Sequence, residues 1–206
     1  MEDILEVYTL PYDAEIPMVC MDEQPYQLLG EKHQPIPMQP DQPTKQDYEY
    51  ARKGTCSTFM FTEPLGGWRH AHVSQRRTKQ DWALHIRELL EVHYPECKMI
   101  RLIMDNLNTH AISSLYETFS PDVALALAKR LDIHYTPKHG SRLNIAEIEL
   151  SVMTTQCLNR RIATVEEIQT QLNAWETARN ANSKTVDWQF ATSDARIKLK
   201  SLYHNI

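Results

Sequence analysis

Apolar and polar residues run along this chain in blocks whose period changes several times. Residues 16–21 (IPMVCM) form a short, nearly continuous apolar run that ends at Asp22, the pattern of a strand buried on both faces. Residues 1–15 before it read as a polar lead-in. Residues 31–47 hold Pro35, Pro37, Pro40 and Pro43 among Gln and Lys, which predicts an extended loop. Residues 55–61 (TCSTFMF) are rich in β-formers, and residues 68–73 (WRHAHV) alternate with period two. With the Leu65-Gly66-Gly67 turn between them, they predict a hairpin. Thr78 can cap a helix that runs to about Tyr94 and stops at Pro95.

Residues 99–104 (MIRLIM) are a further buried-strand run, ending at Asp105. Helical material follows to Arg130, with a new start at Ser120-Pro121-Asp122, where proline suits a first helical turn. Residues 133–136 predict a short strand and 137–141 a loop, and a helix opens near Asn144. The last third predicts helices over 164–178 and 193–203. Strands and helices thus mix in one sheet with an antiparallel start, so the expected class is α/β or α+β with helices packed on a mixed sheet.

Composition narrows the picture. The 206 residues suffice for one well-cored domain, and 42% hydrophobic with 24% charged residues excludes wholesale disorder. The formal net charge of -5 argues against a generic nucleic-acid coat but leaves room for a local basic groove. The start of the chain carries acids where a secretion signal needs positive charge, and no apolar run approaches a membrane span. A cytoplasmic protein with no membrane partner is expected. Cys20, Cys56, Cys97 and Cys157 form no CxxC pair and read as reduced, mostly buried thiols.

The most informative feature is that two apolar strands each run into an aspartate, Asp22 and Asp105. Ligand sites in open α/β sheets gather at the carboxyl ends of strands, so parallel neighbours would bring both carboxylates together. Glu147 lies in the first turn of the helix after the last strand, with Glu149 as its rival. Residues two apart on a helix point in nearly opposite directions, so only one can face such a site. The pattern itself, with Ile145, Ile148 and Val152 marking a core stripe, does not choose between them. Clustered carboxylates repel unless a divalent cation joins them, and oxygen-only ligands select hard ions such as Mg²⁺ or Mn²⁺. The bland alternative for each Asp is a turn or cap residue.

Several ordered segments give this pattern a family resemblance. They are MDEQPYQLLGE (21–31), DYEYARKGT (47–55), FTEPLGGWRHAHV (61–73), RRTKQDWA (76–83), MDNLNTH (104–110), TPKHGSRLNIAEIELS (136–151) and DWQFATSDARIKLKSLY (187–203). Together they resemble the catalytic domain of DDE transposases, in the bacterial insertion-sequence branch of the mariner-like superfamily. The resemblance implies a ribonuclease-H-like mixed sheet flanked by helices over residues 16–206. It implies that Asp22, Asp105 and Glu147 are the catalytic triad, holding two Mg²⁺ ions with Mn²⁺ as an alternative. The L-N-x-x-E frame is what selects Glu147 over Glu149. The implied activity is metal-dependent cleavage of DNA at transposon ends followed by strand transfer into target DNA.

Such an enzyme must hold DNA through local positive charge. Arg69, Arg76, Arg77 and Lys79 lie in an acid-free stretch, and Lys138, His139 and Arg142 precede the Glu147 helix. The second group adjoins the implied metal site and has the better case. Asn106 and His110 either orient a metal ligand or a phosphate, or are an Asn cap and a helix-surface histidine. His70 and His72 share a strand face; with no third ligand placed by the sequence, surface histidines are the better reading. Trp82, Trp175 and Trp188 read as core residues. The N-terminal helix-turn-helix region of relatives is not expected within this chain, so a separate helix-turn-helix partner chain and a homodimer are expected partners. The rival function is a non-catalytic remnant that only binds or oligomerises.

Overall fold

The structure is a computed structural model that describes residues 1–34, 36–41, 47–138, 140–198 and 200. Pro35, Pro43 and the end of the last expected helix lie outside the described residues, as does His139. Five strands form one sheet: β1 (Met18–Glu31), β2 (Tyr50–Glu63), β3 (Trp68–Ser74), β4 (Ile100–Met104) and β5 (Leu131–Tyr135), in the order β3-β2-β1-β4-β5. The β1–β2 and β2–β3 pairs are antiparallel, whereas β1–β4 and β4–β5 are parallel. The hairpin, both buried-strand runs and the short last strand thus form as the sequence pattern predicts. The molecule is a mixed sheet flanked by helices, the ribonuclease-H-like arrangement.

Alternation along the strands sends side chains to two separate cores. Cys20, Met60, Ala71 and Ile103 pack on one face beneath α1 (Glu2–Tyr8), α5 (Ile145–Met153) and α6 (Val165–Ala181). Met21, Phe59, Phe61 and Leu102 pack on the other beneath α2 (Lys79–Glu88), α3 (Ile112–Thr118) and α4 (Pro121–Ala128). A last helix, α7 (Thr192–Lys198), lies near α1, tied by an ion pair between Arg196 and Glu2 at 2.7 Å. Trp82 and Trp175 are buried and Trp188 packs against the first core, as expected. Cys20, Cys56 and Cys97 are buried free thiols and Cys157 is half-buried. No helix among the described residues is long and apolar enough to cross a membrane.

Local chemistry explains the boundaries. Thr78 and Asp81 form a reciprocal capping box that starts α2, and Pro121 occupies the first turn of α4. Gly67 sits at φ +70° in the β2–β3 turn, where an added Cβ would lie 2.7 Å from the Ser183 carbonyl oxygen. The open edge of β3 is covered by side chains of α6 and its end. Glu176, Gln169 and Asn180 accept from the backbone N–H groups of Ala71, Val73 and Arg69, each at 2.9 Å. Such cover blunts an edge that would otherwise invite another strand.

Three expectations need correction. First, residues 2–8 are not a polar lead-in but a helix that buries Ile4, Leu5, Val7 and Tyr8. Its apolar residues fall at helical spacing, within a window too short and too acidic to stand out. Second, β1 does not end at Asp22 but runs to Glu31. It pairs with β4 only over Met18–Cys20, while its antiparallel pairing with β2 continues. Pro25 falls in that one-sided stretch, where a residue without an N–H is tolerated. Third, the buried stripe of α5 is Ile145, Ala146, Glu149, Leu150 and Met153, while Ile148 is exposed.

Candidate active site

Asp22 and Asp105 reach the same region by different routes. β4 stops at Met104, and Asp105 follows at once. Asp22 lies two residues past Cys20, the last position at which β1 pairs with β4. The carboxyl ends of the parallel stretch therefore carry both residues, as the topology rule for such sheets anticipates.

Glu147 is delivered by a helix start with unusual anchoring. Asn144 is buried; its Oδ1 accepts from Ala146 N at 3.1 Å and caps α5, while its Nδ2 donates to the Met21 carbonyl at 2.8 Å. One side chain thus starts the helix and ties it to the strand residue next to Asp22. Tyr8 of α1 braces the same turn: its hydroxyl donates to the Leu143 carbonyl at 2.7 Å and its oxygen accepts from Ile145 N at 3.3 Å. Glu147 is three residues beyond Asn144 and lines, with Asp22, Glu23 and Gln24, an open cleft of about 510 Å³.

Glu149, the rival, has no access to this cleft. It is buried and held by Arg69 at 2.9 Å and Arg179 at 3.1 Å. Burial opposes its charge, but the two guanidiniums outweigh burial and hold the carboxyl below its usual range. Arg69 is fully buried, with further bonds from its guanidinium to the carbonyls of Gly67 and Lys184. It is therefore a core ion-pair partner and not a surface contact for DNA, because the hairpin turns its side chain toward α5. The sequence reading of Arg69 as part of a basic surface is corrected on that ground.

The cleft carboxylates have the opposite electrostatics. Burial pushes the Asp22 carboxyl up to about 7; a hydrogen bond from Glu23 N opposes the rise, and the charges of Glu23, Asp105 and Glu147 add to it. Asp22, Asp105 and Glu147 are not among the described groups whose ligand atoms all lie within 4.8 Å of one another. An oxygen-only set fits hard divalent cations, which would offset the mutual repulsion of these carboxylates.

His110 is buried between Asp105 and Glu23, not on a helix surface. Its Nδ1 lies 2.5 Å from Asp105 Oδ1 and its Nε2 3.1 Å from Glu23 Oε2. Burial by itself lowers the imidazole pKa; the two carboxylates more than reverse this and raise it to about 9. With both ring nitrogens against carboxylates, the ring is doubly protonated at neutral pH. Glu23 is the residue that the sequence reading missed. Its side chain is buried, facing His110 and, at 3.5 Å, Arg77. The only signal was its place beside Asp22.

Asn106 and Lys138 are exposed and share a second pocket with Asp105, about 330 Å³ in volume. Arg142 is exposed in the short helical turn Ser141–Leu143 that leads into α5. Arg76 and Arg77 are exposed after β3, and Lys79 pairs with Glu117 at 2.6 Å. The carboxylates, Asn106, His110 and Lys138 are therefore grouped at one end of the sheet. Arg77 joins them through Glu23, whereas Lys79 is occupied by an exposed ion pair.

The model of the DDE superfamily endonuclease family matches residues 17–169. Among solved structures, the chain is similar to the Mos1 mariner paired end complex with Mn, with a TM-score of 0.57 and 14% identity over 88% of this chain and 54% of that one. The Mos1 strand transfer complex gives a TM-score of 0.56 and 12% identity over 82% of this chain and 50% of that one. The catalytic domain of Mos1 mariner transposase gives 0.55 and 11% identity, covering 88% of this chain and 81% of that one. The chain thus spans about half the length of the full transposase chains. At these identities the likeness is one of fold. Among curated proteins, none matches.

Proposed function

Because this chain belongs to the DDE superfamily endonucleases, we propose that it is a transposase catalytic domain that cleaves and joins DNA strands at Asp22, Asp105 and Glu147. The observation that carries this reading is that Asp22 and Glu147, unlike Glu149, have no cationic partner among the described residues. Asp22 is half-buried beside Glu23, Asp105 and Glu147, while the neighbouring Glu149 has two arginines of its own. Asp22, Asp105 and Glu147 would hold two Mg²⁺ ions, or Mn²⁺ in their place. When bound, the ions supply Lewis-acid catalysis of phosphodiester hydrolysis and of the transfer of a freed 3′-hydroxyl to target DNA.

The chain's own groups position that chemistry. Protonated His110 fixes the orientation of Asp105 through Oδ1, so that this carboxylate would be held in place for a cation. Its other nitrogen neutralises part of the Glu23 charge, so that the buried glutamate does not compete for the same cation. Asn144 sets the distance between the helix that carries Glu147 and the strand that carries Asp22. Lys138 and Arg142 receive DNA phosphates beside the cleft, with Asn106 at the same pocket. Arg76, Arg77 and Lys79 extend the contact along the connection between β3 and α2, and His139 acts with Lys138. No covalent enzyme intermediate is required.

Transposon ends and target DNA are the proposed substrates. The similar Mos1 structures are described as paired end and strand transfer complexes, which supports DNA as the partner. End recognition is assigned to a helix-turn-helix partner and end pairing to a homodimer. The test is Mg²⁺- or Mn²⁺-dependent nicking of supercoiled DNA by the purified chain, with Asp105→Asn beside it. Nicking that disappears in the variant is expected; equal nicking by both would sink the assignment. A folded wild-type chain that binds DNA without nicking it would favour the binding-only reading.

A further inference from the structure

The edge strand β3 carries a second cluster that the carboxylate cleft does not use. His70 and His72 project from it on the same face as Phe61 and Phe59, toward α2. Their rings meet two further histidines: His70 lies 4.3 Å from His93 and His72 4.9 Å from His85, between ring centroids. Glu88, in the last turn of α2, stands beside them, with Oε1 3.9 Å from His70 Nε2. Beyond α2 the chain makes a wide turn over Leu89–His93, closed by a bond from Tyr94 N to the Leu89 carbonyl at 2.9 Å. Such wide turns recur at functional sites. His70 and His72 are therefore half-buried in a cluster, not surface histidines, and Glu88 of α2 and His93 of this turn stand beside His70.

Two atoms of the cluster are unexplained by packing. The Nε2 atoms of His70 and His93 are both buried and neither has a hydrogen-bond partner. Buried polar atoms are nearly always satisfied, so a pair of orphans next to a carboxylate calls for a cause. The other side of the His70 ring shows how the pair is oriented. His70 Nδ1 lies 3.2 Å from Glu176 Oε2 and 3.3 Å from its Oε1. A carboxylate accepting from Nδ1–H leaves the lone pair on Nε2, the arrangement that supports histidine ligands in metalloproteins.

We propose that His70, Glu88 and His93 form a Zn²⁺-type metal site, separate from the carboxylate cleft, which ties the edge strand to the end of α2. One ligand atom from each residue lies within 4.8 Å of the other two. Ligands of a tetrahedral zinc sit about 3.3 Å apart, so closure needs the three atoms to draw together by no more than about 1.5 Å, and Glu88 is partly exposed. Two imidazoles and one carboxylate favour a borderline ion over Mg²⁺. Water fills the fourth position, and Glu176 supports the site through His70 without touching the ion.

The test uses the full chain, stripped of metal with a chelator and kept in excess Mg²⁺ so that the carboxylate cleft is occupied. Zn²⁺ is titrated against a chromophoric competitor, and Co²⁺ is added in its place to record the visible bands of a tetrahedral site. A single equivalent of Zn²⁺, bound about 10-fold or more weakly by His93→Gln and by Glu88→Gln, is expected. Glu176→Gln should weaken binding by about 10–100-fold, the usual effect of removing a carboxylate behind a ligand histidine. Asp105→Asn should leave the Zn²⁺ affinity unchanged. Should His93→Gln fail to fold, Glu88→Gln carries the test at a position that tolerates polar replacement. No Zn²⁺ binding by the wild type, equal affinity in all variants, or loss in Asp105→Asn alone would overturn the proposal.

Discussion

The two sides of α5 hold the same kind of residue in opposite electrostatic surroundings. On the buried side, Glu149 is closed in by Arg69 and Arg179, and its charge is neutralised within the protein. On the cleft side, Glu147 and Asp22 stand among other carboxylates, and Asp22 rises to about 7 as a result of burial and those neighbours. The difference separates a carboxylate that holds the fold together from carboxylates that the fold leaves without a cationic side-chain partner. A chain that can supply two arginines to one glutamate does not supply them to its neighbour two residues earlier. That asymmetry, more than any single distance, supports the proposed cation site in the cleft.

Neutralising each side in turn sharpens the comparison. Asp105→Asn or Glu147→Gln should lower metal-dependent nicking on the order of 10²–10³-fold or more, since the groups that gather the charge of the reaction are lost. Glu147→Gln should leave thermal stability of the metal-free chain unchanged or slightly raised, because it removes like charge, whereas Asp105→Asn also takes a partner from protonated His110. Melting curves recorded in chelator check this. Glu149→Gln should do the reverse. It strands buried Arg69 and should cost about 3–5 kcal/mol in urea denaturation, the usual penalty for breaking a buried ion pair from one side. A cleft variant that unfolds as readily as Glu149→Gln would erase the distinction.

Smaller effects belong to the supporting groups. His110→Gln should reduce nicking by about 10–100-fold while the fold persists, because Asp105 loses the partner that orients it. Fold retention is read from near-ultraviolet circular dichroism. Lys138→Ala and Arg142→Ala should each weaken DNA binding without changing its sequence preference, and should lower the slope of log affinity against log salt by about one. Lys79→Ala should do less than either, since its ammonium already pairs with Glu117.

The sheet was legible wherever the residues had to bury apolar side chains on regular spacings. The runs before Asp22 and Asp105, the alternation of the hairpin and the Asn144 helix start are all of that kind. Asp22 looked like a strand end because the apolar run stops there, yet β1 continues on its β2 side to Glu31. Losing one neighbour changes the burial pattern without ending the strand. The lead-in helix escaped notice because its burial depends on the distant Leu143 and Trp188, which Tyr8 meets through its hydroxyl and its ring. Pattern could not separate Glu147 from Glu149, since the choice depends on where Arg69 and Arg179 point. Arg69 itself was misread for the same reason: a charge in an acid-free stretch of sequence found its acid 80 residues away. Glu23 and the His70–Glu88–His93 cluster likewise arise only from tertiary contact.

The proposed divalent-cation site at Asp22, Asp105 and Glu147 is open to direct measurement. Mn²⁺ binding to the full chain, followed by electron paramagnetic resonance of the free ion, tests this without requiring turnover. Asp22→Asn and Glu147→Gln are each predicted to weaken Mn²⁺ binding by about 10-fold or more, as expected on losing a charged ligand. His93→Gln should leave this carboxylate binding as it is in the wild type. Mn²⁺ affinity that stays unchanged in both carboxylate variants would rule out a cation site at these residues.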